Sequence, residues 1–475
     1  MVFVLLLAGL AACESGPQSA LAPVEGSQAF AGAIAADEPR AAIAGRDILT
    51  AGGSAADAAA AMFLTLTATY PQAAGLGGGG MCMVYSPRTN KAEALDFLPR
   101  LPRGGGELAL PGNLRGFGAL QARHGKLRWS AVVTPAETLA LFGWRATRAT
   151  VRALGDLDPD DLGKPAAIAY MDGINVVPEG AEIKRPDLGL LLGRIRMEGP
   201  NLLNSGALAQ SLVEAASEQG GQFLAEDLRS IAPAWSDATA LQVDSTSIAI
   251  APGPAGEAFR RIWEGSVTPG LRLIGSASHD RGRLATAMAG AHGNLSGAEP
   301  LASAASTSFA AMDADGQAVA CAVTMQQPFG NGRGLADGAI QFAPRPGPEG
   351  AAGARLVATV AFNTVNKLGF AAGAATGGLT AAAALAQTSA LALVTGRPVT
   401  EALAASRIFR ASSGAVLQAE AGAEAELTRG ENVAEVSRLG LVNLIYCPGS
   451  AQRGPQTCRA AADPRGFGLA QIAGR

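Results

Sequence analysis

At 475 residues the chain is long enough for about three domains, or for one large layered domain. Hydrophobic residues make up 48% of it but aromatics only 5%, and 61 residues are glycine, so any core must be built largely from alanine and glycine. A net charge of −3 without a basic stripe argues against nucleic acid as a principal partner. Three histidines (His124, His279, His292) at no metal-ligand spacing argue against a histidine-based metal centre.

Residues 2–12 are apolar and end Leu10-Ala11-Ala12-Cys13, followed by Glu14, Ser15 and Gly16. The pattern is that of a bacterial lipoprotein signal, too short to span a bilayer, with Cys13 as the lipidated residue. The expectation is a lipoprotein of the bacterial envelope, membrane-anchored and periplasmic. No later run reads as transmembrane, because the apolar stretch 371–394 is broken by Gly377, Gly378, Thr380 and Gln387. An oxidising compartment bears on the remaining cysteines. Cys447 and Cys458 bracket a turn-rich loop that a disulfide would close, whereas Cys82 and Cys321 sit in apolar strand-like runs and read as buried thiols.

Residues 14–38 read as a flexible tether. Residues 41–53 then form a short helix ended by glycine, and Ser54 caps the next, with Asp57 in its first turn. That helix, 55–69, carries almost no charge and should be buried; Pro71 stops it. The run Gly75-Leu76-Gly77-Gly78-Gly79-Gly80 enters a strand rather than a helix and lacks a following Lys-Ser/Thr, which argues against a phosphate loop. Strands 81–85 and 92–97 follow. Residues 251–256 read as a loop.

Residues 306–329 read as a β-hairpin. Phe309 to Met312 run into the turn Asp313-Ala314-Asp315-Gly316, and Ala318 to Met325 return. Gly316 suits the left-handed position of a three-residue hairpin loop. With Asp313 and Gln317 flanking that loop, Thr324 lies across from Ser306, their Cβ atoms roughly 5 Å apart. Further on, 356–362 and 367–372 read as strands. Thr376-Gly377-Gly378 opens an alanine-rich helix over 379–394, and Thr400-Glu401 caps another that runs to Phe409.

The hairpin resembles the start of the small subunit of the gamma-glutamyl transpeptidases, which are N-terminal-nucleophile hydrolases. The stretch from Ala44-Gly45 through Ala51-Gly52-Gly53-Ser54-Ala55 and the glycine run to Ala94-Leu95-Asp96-Phe97 resembles the opening of their large subunit. Leu110-Pro111-Gly112, Gly125-Lys126-Leu127-Arg128-Trp129, Gly220-Gly221-Gln222-Phe223, Pro233-Ala234-Trp235 and Ala462-Asp463-Pro464-Arg465-Gly466 extend the likeness to about residues 40–470. The resemblance implies a four-layer αββα sandwich. It also implies one intertwined domain, with 39–305 corresponding to the large subunit and 306–475 to the small one.

It further implies self-cleavage between Ala305 and Ser306, the two fragments staying together. Ser306 would be the nucleophile, Thr324 its hydrogen-bonding partner, and Gly377 and Gly378 the oxyanion-binding amides. The new α-amine of Ser306, with a reference pKa near 8, can serve as base. No cofactor or metal is implied, and the substrate is a small-molecule or peptide amide, glutathione-like or related. The chain departs from the pattern where a γ-glutamyl group would be held. Leu98 stands in place of the expected arginine, and Arg100 or Arg103 close by would stand in for it as the substrate-binding cation. Phe342, Ala343 and Pro344 replace an acidic or amide cluster, Val357 and Ala358 fall near paired serines, and Gln326 stands where a substrate-binding side-chain amide or hydroxyl is usual, a tolerable change. Two readings stay open: an amidase or acylase for a less charged acyl group, and a catalytically silent lipoprotein that keeps the fold.

Overall fold

The computed structural model describes residues 29–474 except 244, 269–271, 274–277, 292–304, 333, 336–337, 348–354 and 424–429. Cys13, and with it the lipidation and signal expectations, lies outside the described residues. The expected tether 14–38 is corrected at its C-terminal end, where Phe30–Ala36 forms strand β1. Its small residues, Ala-Gly-Ala-Ile-Ala-Ala, suggest a linker by composition. They form a strand because both faces are covered, and every one of them is buried.

Helix α1 (Pro39–Thr50) leads to α2 (Ala55–Thr69), which begins as expected at Ser54. The Ser54 Oγ accepts from the Asp57 amide at 3.2 Å and the Asp57 carboxylate accepts from the Ser54 amide at 2.9 Å, a reciprocal capping box. All of α2 is buried. Strands β2 (Gly79–Ser86) and β3 (Lys91–Phe97) follow, then α3 (Asn113–His124), α4 (Trp129–Phe142), β4 (Ala234–Asp237), β5 (Thr239–Val243) and β6 (Thr246–Ile250). The loop expected over 251–256 stops at Gly253, since Pro254 opens helix α5 (Pro254–Ser266) from its first turn. The hairpin strands are β7 (Ser306–Asp313) and β8 (Ala318–Thr324). They are followed by β9 (Val357–Asn363), β10 (Leu368–Thr376), α6 (Thr380–Leu393), β11 (Leu441–Tyr446), β12 (Arg459–Ala462) and β13 (Leu469–Gly474).

The strands form two antiparallel sheets. The first runs β13-β1-β7-β8-β2-β3-β4 and the second β12-β11-β10-β9-β6-β5. Three apolar layers separate four structural ones. Ala310, Met312, Ala320, Ala322, Ala358 and Ala374 pack between the sheets. Phe309, Ala311 and Val319, from the other face of the first sheet, pack with α1–α4. The second sheet buries Val357, Ala375 and Val442 against α5 and α6. This is the expected αββα sandwich. Alanine lines the inter-sheet layer on both sides, and that explains how a chain with so few aromatics closes it. Several of those it has are concentrated in one stack, Phe63 on Phe117 at 4.2 Å, with Phe97 and Phe309 against the same ring.

Two further expectations are corrected. Cys82 and Cys321 are not thiols; they form a disulfide, being opposed in the β2–β8 ladder with Cα atoms 4.1 Å apart. The Cys447–Cys458 disulfide is present as expected. The helix expected to reach Phe409 ends at Ala404, having begun at Val399. Beyond it the buried Arg407 binds Asp463 at 2.6 Å and its own amide donates to Glu420 at 2.9 Å, which pulls Ile408–Phe409 into a short strand.

Candidate active site

The hairpin register is the one its turn demands. Ser306 pairs with Thr324 and Met312 with Ala318. Asp313 Oδ1 accepts from the amides of Asp315 and Gln317, both at 3.0 Å, and Gly316 sits at φ +85°. The turn also docks on the sandwich. Asp313 Oδ2 accepts from the Ala55 amide at 3.2 Å and Gln317 Oε1 from the Ala56 amide at 3.0 Å, satisfying the first N–H groups of α2. One end of the hairpin is thereby fixed, and the other carries the candidate chemistry.

At that end the carbonyl of Ala305 accepts two hydrogen bonds. The Thr324 hydroxyl donates at 3.0 Å and the Met325 amide at 2.9 Å. The hydroxyl is itself oriented by the Gln326 amide, which donates to it at 2.9 Å. Thr324 therefore faces the inter-sheet side with Ser306, as expected, but in the uncut chain it binds the carbonyl that precedes the serine. Gln326 holds an unusual backbone, φ +67°, and its buried Nε2 has no partner among the described residues. Ser306 is 6% exposed and Ala305 1%, and the cavities of 780 and 280 Å³ are lined by other residues.

Gly377 and Gly378 lie on the facing sheet, between β10 and α6. Their φ angles, +124° and +64°, favour glycine, and a Cβ at Gly377 would come within 2.5 Å of the Gly440 Cα. The Gly377 carbonyl accepts from the Thr380 hydroxyl at 2.8 Å and the Gly378 carbonyl from the Ala381 amide at 3.2 Å, so the first turn of α6 holds both peptides. The two sheets meet beside them: the Ser308 hydroxyl donates to the Ala374 carbonyl at 3.4 Å.

Arg100 is half-exposed and paired. It pairs with Asp96 at 3.3 Å on the surface, and Arg103 faces Glu226 at 3.2 Å. Leu98, at the position where the resemblance expects arginine, packs against the inter-sheet apolar layer. Phe342, Ala343, Val357 and Ala358 are fully buried.

A polar cluster behind the serine was not legible as a site. Asp37 Oδ2 accepts from the Thr307 hydroxyl and the Ser308 amide, both at 2.9 Å, while Oδ1 accepts from Asn443 Nδ2 at 2.6 Å. Asn443 also donates to the Ser308 carbonyl at 2.9 Å. Burial pushes the Asp37 carboxyl up to about 6, against the opposing pull of those hydrogen bonds. The available signal was the pair Asp37-Glu38 ahead of a proline, since Glu38 is the cap of α1 and accepts from the Ala41 amide at 2.9 Å.

Residues 41–259 match the family model described as gamma-glutamyltranspeptidase. Among curated proteins, the chain is 31% identical to scoloptoxin SSD14 of Scolopendra dehaani over 44% of this chain and 39% of that protein. It is 30% identical to human glutathione hydrolase 5 proenzyme over 49% of this chain and 44% of that one. The matches thus span less than half the length of these relatives. The fold matches a crystal structure of cephalosporin acylase from Bacillus halodurans with a TM-score of 0.73, over 96% of this chain and 99% of that chain, at 18% identity.

Proposed function

We propose that the chain is a divergent member of the gamma-glutamyltranspeptidase family, acting as an N-terminal-nucleophile amide hydrolase or acyl transferase activated by cleavage before Ser306. The observation that carries this reading is the doubly held carbonyl of Ala305, the bond that must break. Ser306 Oγ attacks the Ala305 carbonyl carbon, and the Thr324 hydroxyl and Met325 amide, already on that oxygen, take up its developing charge. The C–N bond breaks as the serine proton passes to the departing nitrogen. Water then hydrolyses the ester, leaving a carboxylate at Ala305 and a free amine and hydroxyl at Ser306.

In the cut protein the α-amine acts as base for Ser306 Oγ, which attacks the amide carbonyl of a substrate. Gly377 and Gly378 supply the N–H groups for the oxyanion, and water or an amine releases the acyl group. The acyl group is less charged than γ-glutamyl, because Leu98 faces the apolar layer and Arg100 is committed to Asp96 at the surface. Gln326, whose Nε2 has no partner among the described residues, offers the acyl group a donor. The two disulfides support an oxidising envelope compartment, with the chain anchored through lipid at Cys13.

The low exposure of Ser306, 6%, favours a second reading, a silent binding lipoprotein with the same fold. A reducing, denaturing gel separates the two. The catalytic reading expects two fragments, the smaller beginning Ser306-Thr307-Ser308-Phe309, and one uncut chain for Ser306→Ala. An uncut wild-type chain would overturn it.

A further inference from the structure

We infer that the cut protein stays covalently closed: the Cys82–Cys321 disulfide joins the segment before Ser306 to the segment after it. The inference rests on the self-cleavage proposed above. Cys82 belongs to β2 and Cys321 to β8, and the two are directly opposed between the pairs Met83–Ala320 and Met81–Ala322. They are 239 residues apart in sequence, on opposite sides of the Ala305–Ser306 bond. The second disulfide, Cys447–Cys458, lies wholly after that bond and links nothing across it. Among the described residues one bridge therefore spans the cut.

The chemistry of the two events is independent. Forming the bridge removes two electrons and two protons from the thiols, taken by a disulfide-bearing oxidant through thiol exchange. Cleavage is an acyl shift followed by hydrolysis and moves no net electrons, so it leaves the bridge intact. Both sulfurs lie in the core between the first sheet and its helices, each residue 0% exposed. A reductant must therefore wait for the sheet to open.

The bridge also sits where separation would begin. Strands β7 and β8, from the segment after the cut, are inserted between β1 and β2 from the segment before it. With the bridge in place, unfolding of the cut protein is a one-molecule event. Refolding finds its partner strand at the high effective concentration of a tether.

The test is a denaturing gel of thiol-blocked protein run with and without reductant. The expected result is one band at full mass without reductant and two with it. Cys82→Ser and Cys321→Ser should each give two bands in both lanes, and Cys447→Ser/Cys458→Ser should behave as wild type. Two bands for the unreduced wild type would overturn the linkage while leaving self-cleavage standing. One band in both lanes would overturn self-cleavage, and the linkage of fragments with it. Should the single-cysteine variants fail to fold, a tryptic digest of unreduced wild type must contain the Cys82 and Cys321 peptides as one cross-linked species; separate peptides would overturn the inference.

Discussion

The hydroxyl of Thr324 donates to the carbonyl oxygen of Ala305 at 3.0 Å, so the residue expected to serve the nucleophile first holds the bond that would release it. One side chain can do both because Ser306 and Thr324 are opposed in the ladder. Were the bond cut as proposed, departure of the Ala305 carboxylate would free the hydroxyl to turn toward Ser306. The Gln326 amide donates to the Thr324 hydroxyl oxygen at 2.9 Å, so the hydroxyl proton stays available for donation in either state.

Thr324→Val keeps the shape of the side chain and removes that donor. Losing one of two oxyanion donors costs on the order of 10²-fold in rate. The appearance of fragments in reducing gels should slow by about that factor while the melting temperature moves little. Thr324→Ser should restore most of the rate. Equal cleavage rates for valine and wild type would remove Thr324 from the mechanism.

Gln326 combines a left-handed backbone with a buried amide nitrogen that has no partner among the described residues, two costs that act on the folded state alone. Gln326→Gly relieves both. A non-glycine residue in that conformation costs about 1–3 kcal/mol, and glycine gives back up to about 1 kcal/mol in chain entropy. The variant should be more stable in urea titration by about 1 kcal/mol and, under the proposed activity, show a raised KM for the amide substrate. A destabilised variant would mean that the amide has a structural partner.

How much of this was legible depended on whether the determining contacts were local. The Asp313-to-Gly316 turn carries its own hydrogen bonds, so the register placing Thr324 opposite Ser306 followed from about twenty residues. The capping box at Ser54 is equally local. The Cys82–Cys321 bridge was hidden because each cysteine sits in an ordinary apolar strand and their pairing depends on β2 and β8 being neighbours. Strand β1 was hidden by its composition: small residues fit a strand covered on both faces as well as they fit a tether. The early end of the helix at Ala404 depends on Asp463, which is remote in sequence from Arg407, the residue it holds. The pairing of Arg100 with Asp96, four residues away, is by contrast local.

That remote pair can be tested directly. Arg407 and Asp463 are both nearly fully buried, and Asp463 also accepts from the Val442 amide at 3.0 Å and from Arg465 Nη1 at 3.1 Å. Arg407→Ala leaves a buried carboxylate short of its closest cation, a loss that typically costs about 3–5 kcal/mol. Denaturant melts should show that loss, and the double variant Arg407→Met/Asp463→Leu should recover much of it. A fall below about 1 kcal/mol for the single variant would show that Arg465 alone suffices.

The buried carboxyl of Asp37, bonded to Thr307 and Ser308, makes the stability depend on pH in a stated direction. Burial raises Asp37 from 3.8 to about 6, so the folded protein holds its proton over a range in which the unfolded chain has lost it. Stability then falls as pH rises from about 4 to about 6 and is flat beyond, the reverse of an ion-paired aspartate. A shift of that size corresponds to about 3 kcal/mol between the two plateaus. Glu38 and Asp313, both raised by burial, act with the same sign, so the contribution must be read as a difference. Asp37→Asn presents an amide NH₂ to one of the donors now facing the carboxylate, from Thr307, Ser308 and Asn443, and will lose some stability at pH 4. Its slope between pH 4 and 6 should nevertheless be shallower than wild type, so the two curves converge or cross by pH 7. Parallel curves would show that Asp37 stays charged throughout, held by those three donors against the cost of burial.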